Sequence, residues 1–206
     1  MTDRRSQNAA LRRSAIVNAA LDEFAEKGFA AARMEDIARR AGVGKGTIYL
    51  HFADKGALFE AIVKQEIQPA VSAAIAAAAS GGSLTDFVQH TLGPALREIA
   101  LTRRGAVLRM MIGEAGRFPQ LAEVYFRLVV EPGLEAIRTL ALRGVERHEL
   151  RDRAIAEFPQ LLIAPLLVAV VWTGLFEPFR HLDVERMAHL YFESLTGTAV
   201  PEMSTS

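Results

Sequence analysis

The chain contains no cysteine, which excludes a disulfide framework, thiol catalysis and cysteine-type zinc sites. It carries no excess of either charge: 24 basic residues balance 24 acidic ones. Zero net charge with half of the residues apolar excludes disorder as the main state, because disordered chains pair high charge with few apolar groups. No run alternates apolar and polar residues between turn signals, so no strand is expected. No apolar run is long enough for a membrane span. The most apolar stretch, Leu161–Phe176, holds Pro165 and is shorter than the roughly 20 residues a spanning helix needs. The opening Met1-Thr2-Asp3-Arg4-Arg5-Ser6 leads into polar sequence without the apolar core of a secretion signal, so a reducing cytoplasm is the expected compartment.

What the sequence does have is length for one large domain or two small ones, and helical periodicity nearly throughout. Ile16, Ala20 and Phe24 recur every fourth residue, the stripe of a helix from about residue 7 to Lys27 that stops at Gly28. Short helices are expected over Met34–Ala41 and Lys45–His51. Asp54 is placed to cap a long helix from Lys55 to Ala79, bent at Pro69. Further helices are expected near 84–101, 103–115, 119–131, 133–147, 153–176 and 184–196, with Asp183 capping the last and Thr198–Ser206 frayed. The fold class is all-α. The expected domains are residues 1–54 and 55–206. Charge divides unevenly: residues 1–64 carry 11 basic against 8 acidic side chains, and all four lysines. A basic head on an acidic body fits a head that meets a polyanion, although an ordinary solvated surface fits as well.

The most informative segment is residues 24–62. Two helices of about two turns flank Gly42, the helix-turn-helix arrangement. Ala38 is small enough for the second helix to cross close over the first, and Gly42 supplies a backbone conformation that a Cβ resists. Ile37, Val43 and Ile48 should point inward, and Phe24, Phe29, Phe52, Leu58 and Ile62 should close a three-helix core. Lys45, Gly46, Thr47, Tyr49 and His51 are then outward, on the helix that enters the major groove in such a motif. Gly44 and Gly46 remove bulk so that backbone can approach DNA. Lys45 and Lys55 can neutralise phosphates, Tyr49 and His51 can donate to phosphate oxygens, and Thr47 can meet a base edge or thymine methyl. The residues alone leave alternatives open. Glycine-linked short helices also occur in proteins that never touch DNA, Tyr49 suits a half-buried core, and His51 and Lys55 suit a plain solvated surface.

The stretch Ile37-Ala38-Arg39-Arg40-Ala41-Gly42-Val43-Gly44-Lys45-Gly46-Thr47-Ile48-Tyr49-Leu50-His51-Phe52, with Asp54-Lys55 and Leu58, resembles the N-terminal signature of the tetracycline-repressor (TetR) family of bacterial regulators. Residues 20–29 resemble that family's first helix, so the likeness covers about residues 10–62. It implies an all-helical homodimer with a three-helix DNA-binding head and a larger C-terminal domain that binds a small ligand. It also implies phosphate or base contacts from Lys45, Thr47, Tyr49, His51 and Lys55 to a palindromic operator in double-stranded DNA. Two departures matter. Gly44 stands where members often carry Ser or Thr, so a side chain that could cap the helix or meet a phosphate is missing. Arg33 stands where Thr or Ser is frequent, and either reaches a phosphate or is merely solvated.

Gly113–Leu121 resembles a segment of C-terminal domains like those of the AefR-type repressors, and also reads as a helix end. There Gly116 stops one helix, Pro119 starts the next and Phe118 staples the corner. In the family the last two long helices usually build the dimer interface, which carries over to about 153–176 and 184–196. Met187, Leu190, Tyr191 and Leu195 form the stripe of the final helix. Candidate ligand-pocket residues are Met110, Met111, Phe126, Trp172, Phe176 and Phe179, with His90 or Arg109 as polar handles, although such residues at helical spacing are also ordinary core. The expectation is a repressor released by a small lipophilic effector.

No catalytic, cofactor or metal motif survives inspection. Gly42–Thr47 superficially suggests a phosphate-binding loop, but Gly follows its lysine and no strand precedes it. His148-Glu149 lacks a second histidine four residues after the first. No enzyme activity is expected.

Overall fold

The structure is a computed structural model that describes residues 2–150 and 154–196. Among the described residues every regular element is helical. In chain order they are α1 (Thr2–Ala31), α2 (Met34–Arg40), α3 (Lys45–His51), α4 (Lys55–Ile62), α5 (Gln68–Ala79), α6 (Leu84–Phe87), α7 (Gly93–Leu101), α8 (Arg103–Glu114), α9 (Pro119–Tyr125), α10 (Glu131–Glu146), α11 (Ala154–Glu157), α12 (Gln160–Leu175) and α13 (Val184–Thr196). None of them is long and apolar enough to cross a membrane.

The chain forms two compact units. The first runs to Pro69 and takes in Ala106–Leu128, and the second holds Ala70–Gly105 with the described residues from Val129 on. The core of the first unit is the one the sequence implies: Ile16, Phe24, Phe29, Ile37, Ile48, Phe52, Leu58 and Ile62 are all buried. Each such side chain contributes roughly 1.5–3 kcal/mol of transfer free energy. Phe118 stacks edge-on against Phe29, with ring centres 5.0 Å apart, and Pro119 opens α9, as the corner reading requires. In the second unit Leu84, Phe87, Leu140, Leu162 and Phe192 are buried together.

Three prolines shape the long helices by widening them. Val63–Ile67, Val88–Leu92 and Phe126–Val130 each wind as one π-helical turn, and each ends two residues before a proline: Pro69, Pro94 and Pro132. A proline in a helix lacks its N–H, and its ring collides with the carbonyl four residues back. The wider turn relieves that collision, and the N–H groups of Gln68 and Gly93 reach five residues back to the carbonyls of Val63 and Val88. The bend expected at Pro69 and the joint expected at Pro132 are therefore π turns within a continuing helical path. Pro165 is handled differently. Its missing N–H leaves the carbonyl of Leu161 without its helical partner, and the Tyr191 hydroxyl donates to that oxygen at 2.5 Å, tying α13 to α12.

The caps fall where expected. Asp54 Oδ1 accepts the N–H of Ala57 at 2.8 Å, and Asp183 Oδ1 that of Arg186 at 2.9 Å. The helix expected over 153–176 is divided. α11 ends at Glu157, Phe158 and Pro159 intervene, and α12 starts at Gln160, because a proline cannot donate into the preceding turn. Residue 153 and the tail Thr198–Ser206 lie outside the described residues. α12 buries Leu162, Pro165, Ala169 and Val170 on one side. Its opposite side leaves Leu161, Leu167, Val168, Val171 and Leu175 in water.

Candidate nucleic-acid interface

α2 and α3 are held at a fixed angle by side chains of low polarity and by one glycine. Gly42 sits at φ 68°, the left-handed region that favours glycine, and the N–H of Val43 returns to the Ala38 carbonyl at 3.0 Å. Ile37, Ala38 and Ile48 are buried at the crossing, while Val43 is half-buried. An ionic clamp ties α2 to α1. Buried Glu23 faces Arg40 Nε at 3.4 Å and pairs with Lys27; Glu26 accepts from Arg40 at 2.7 Å; Lys27 reaches Asp36 at 3.5 Å. The bond from Arg40 holds the Glu26 carboxyl below its ordinary range.

With Ile48 anchored inward, helical geometry fixes what α3 shows to solvent. Residues two places away on either side, Gly46 and Leu50, lie nearly opposite Ile48, with Thr47 and Tyr49 on the flanks. Lys45, Gly46 and Tyr49 are exposed, and Thr47 and His51 are half-buried. Gly44 is the N-cap of α3 and Arg33 the N-cap of α2, both exposed and both without a side-chain cap. The cap that Gly44 forfeits is thus absent, as the sequence implies.

Two lysines of the sequence motif have different surroundings. Lys45 projects from the first turn of α3 and pairs with Glu35 of α2 at 2.9 Å. That bond pushes the Lys45 ammonium above its ordinary value and the Glu35 carboxyl below its own. Glu35 also feels the charge of Arg33, so three charged side chains gather at the start of the motif. Lys55 turns inward instead. Its Nζ donates to the carbonyls of Phe29 and Ala30 at 2.6 and 3.0 Å and lies 4.9 Å from the Phe29 ring centre. Partial burial lowers its pKa. Its ammonium satisfies carbonyls left over at the end of α1, a role the motif alone does not reveal. Glu35 is a further participant that the motif does not single out. Its place in the first turn of α2 is the signal, because it lies within reach of α3.

The candidate ligand residues are divided between the two units: Arg109, Met110, Met111 and Phe126 lie in the first, and His90, Trp172, Phe176 and Phe179 in the second. Arg109 and Met110 line a cavity of about 400 Å³ with Phe24, Gly28 and Glu114. Met111 is half-buried and Phe126 is half in water. His90 is exposed, its Nδ1 3.1 Å from the carbonyl of Asp86. Trp172 and Phe176 stack edge-on at 5.4 Å, the indole N–H donates to the Arg180 carbonyl at 2.8 Å, and Phe179 is almost fully exposed. Among the described residues no group of acidic or histidine side chains is arranged to hold a metal ion.

A buried crossing of two short helices, a glycine turn and an outward second helix define a helix-turn-helix protein. Residues 16–62 match the sequence model of bacterial regulatory proteins of the tetR family, and residues 78–191 match that of the tetracyclin repressor-like C-terminal domain. The chain belongs to the TetR family of helix-turn-helix transcriptional regulators, and is a regulator rather than an enzyme. It is 29% identical to the uncharacterized HTH-type transcriptional regulator YdeS of Bacillus subtilis over 161 residues, 78% of each chain. It is 33% identical to the HTH-type transcriptional regulator UidR of Escherichia coli K12 over 122 residues, 59% of this chain and 61% of that one. Its fold is similar to that of SmeT of Stenotrophomonas maltophilia in a triclosan complex, with a TM-score of 0.77, 19% identity, and 95% of this chain and 100% of that one covered.

Proposed function

We propose that the protein is a homodimeric repressor that grips a palindromic operator through α3 and releases it when a small lipophilic effector binds the C-terminal domain. The observation that carries the DNA half of this reading is the disposition of α3. Its one buried residue, Ile48, faces the core, and its outward side presents Gly46 and the exposed Leu50, flanked by Lys45, Thr47 and Tyr49. Gly44 and Gly46 let backbone approach the groove, Arg33, Lys45, Tyr49 and His51 meet phosphates, and Thr47 meets a base. Lys55 serves the same surface by fixing the end of α1.

Dimerisation is supported by the uncovered side of α12. Leu161, Leu167, Val168, Val171 and Leu175 form an apolar stripe along one helix, and water is a poor solvent for it. A second copy of α12 and α13 related by a twofold axis covers it and supplies the second head that a palindrome needs. The effector half is supported by the C-terminal family match and by the triclosan complex of the structurally similar SmeT. An effector loosens the DNA complex only by its preference for the arrangement that does not fit DNA, a coupling of about 1–3 kcal/mol in typical cases. Of the candidate ligand residues, Arg109 and Met110 line one open depression of about 400 Å³.

Replacing Lys45 tests the DNA reading. The Lys45→Ala variant should bind every duplex more weakly by a similar factor, and the slope of log K against log salt should fall by about 0.9 for each phosphate no longer neutralised. Fluorescence anisotropy over a salt series reads both quantities. An unchanged slope would show that Lys45 meets no phosphate.

A further inference from the structure

We infer that Leu50 reads a thymine methyl group in the major groove and is a specificity-determining residue of the protein. The inference rests on the DNA-binding reading above and goes one step further, to which base feature is recognised. Leu50 is 85% exposed, more than any other described leucine of the chain. It lies on the most outward line of α3, opposite the buried Ile48. Residue 46 shares that outward line. That residue is glycine, with no protein atom within 4 Å of the place its Cβ would take. The leucine therefore stands clear of the protein, on the face of the motif that would enter the groove.

Its surroundings identify what covers it. An apolar protein partner would meet Lys45 on the same short helix with its partner Glu35, and the exposed Arg33 beside that pair, two cations to one anion, whereas a polyanion meets that net positive charge with complementary charge. Within the major groove most base-edge features are hydrogen-bond donors or acceptors, and a leucine can serve none of them. The thymine C5 methyl is the apolar exception. A leucine at this position thus favours thymine by burying its methyl, and disfavours bases that would leave a polar edge unpaired against it.

The test uses the full chain and duplexes enriched by it from a randomised pool. In the enriched duplex each thymine is replaced in turn by deoxyuridine, which removes only the methyl. Binding of wild-type protein and of Leu50→Ala is then measured at one salt concentration. At one thymine in each half-site the wild type should weaken about fourfold on demethylation, roughly the value of one buried methyl-sized group. Leu50→Ala should bind the thymine and uracil duplexes equally at that position and keep the wild-type response everywhere else. The exposure of Leu50 means that the variant folds as the parent does, which its thermal unfolding midpoint should verify. Wild-type binding that is salt-sensitive but indifferent to every demethylation would overturn the assignment and leave the DNA reading intact. So would a Leu50→Ala variant that keeps the full wild-type methyl response. Failure of the wild type to enrich any duplex would overturn both.

Discussion

A protein carrying Val168→Glu together with Leu175→Glu is expected to be a monomer whose operator affinity is at least about a hundredfold weaker. Both side chains lie on the uncovered stripe of α12, and neither contributes to the buried core. In a twofold interface each substitution occurs twice, so four carboxylates would have to leave water on pairing. The effective penalty for burying an unpaired charge is several kcal/mol per ion, more than a helix-pair interface can absorb. With the pair broken, each head binds its half-site alone and the gain from linking two binding events, typically about 10²–10⁴, disappears. Sedimentation velocity would follow the assembly and anisotropy the DNA affinity. Unfolding of the variant should stay close to wild type, because exposed positions of a helix accept glutamate readily. A variant that remained dimeric, or one that bound the operator as the parent does, would place the interface elsewhere.

Gly28→Ala should lower the stability of the first unit by about 1–3 kcal/mol. Gly28 interrupts α1 at φ 77° and ψ 162°, a conformation essentially restricted to glycine. A Cβ built there would stand 2.8 Å from Glu114 Oε1, the oxygen that accepts the Ala30 N–H at 3.4 Å. The carboxylate can swing aside, but the backbone strain remains, and relieving it would move Phe29 out of its stack with Phe24 and Phe118. A fall of several degrees in the thermal midpoint is the expected result. Gly42→Ala makes an informative companion. It carries a similar φ of 68° but meets no atom within 4 Å, so its cost should be the smaller of the two. An unchanged midpoint for Gly28→Ala would show that the turn can be rebuilt without glycine.

Features set by local chemistry are legible in the sequence, and features set by distant partners are not. Asp54 and Asp183 announce their caps because the accepting oxygen and the donating N–H are three residues apart. The buried Ile37 and Ile48, the left-handed Gly42 and the outward Lys45 and Tyr49 follow from spacing within one motif. The prolines are visible, but whether a helix breaks, bends or widens depends on what packs against it, and here three of them are accommodated by π turns. Spacing alone turns Lys55 outward, because its targets, the carbonyls of Phe29 and Ala30, lie far back in the chain. Leu50 is hard to single out because a leucine in a helical pattern counts as core; only its place opposite Ile48 shows otherwise. The candidate ligand residues are defined by side-chain type alone. No period or partner constrains them; Arg109 and Met110 line one depression together.

In the proposed repressor α3 is a probe and a second protomer supplies its twin. A hydroxyl-radical footprint of the full-length protein on the DNA upstream of its own gene tests this most directly. The expected pattern is two protected half-sites related by a dyad, their centres one helical turn or a multiple of it apart, about 34–36 Å per turn, fading together as salt is raised. Protection of a single asymmetric segment, or of two half-sites that persist unchanged in Lys45→Ala, would contradict it.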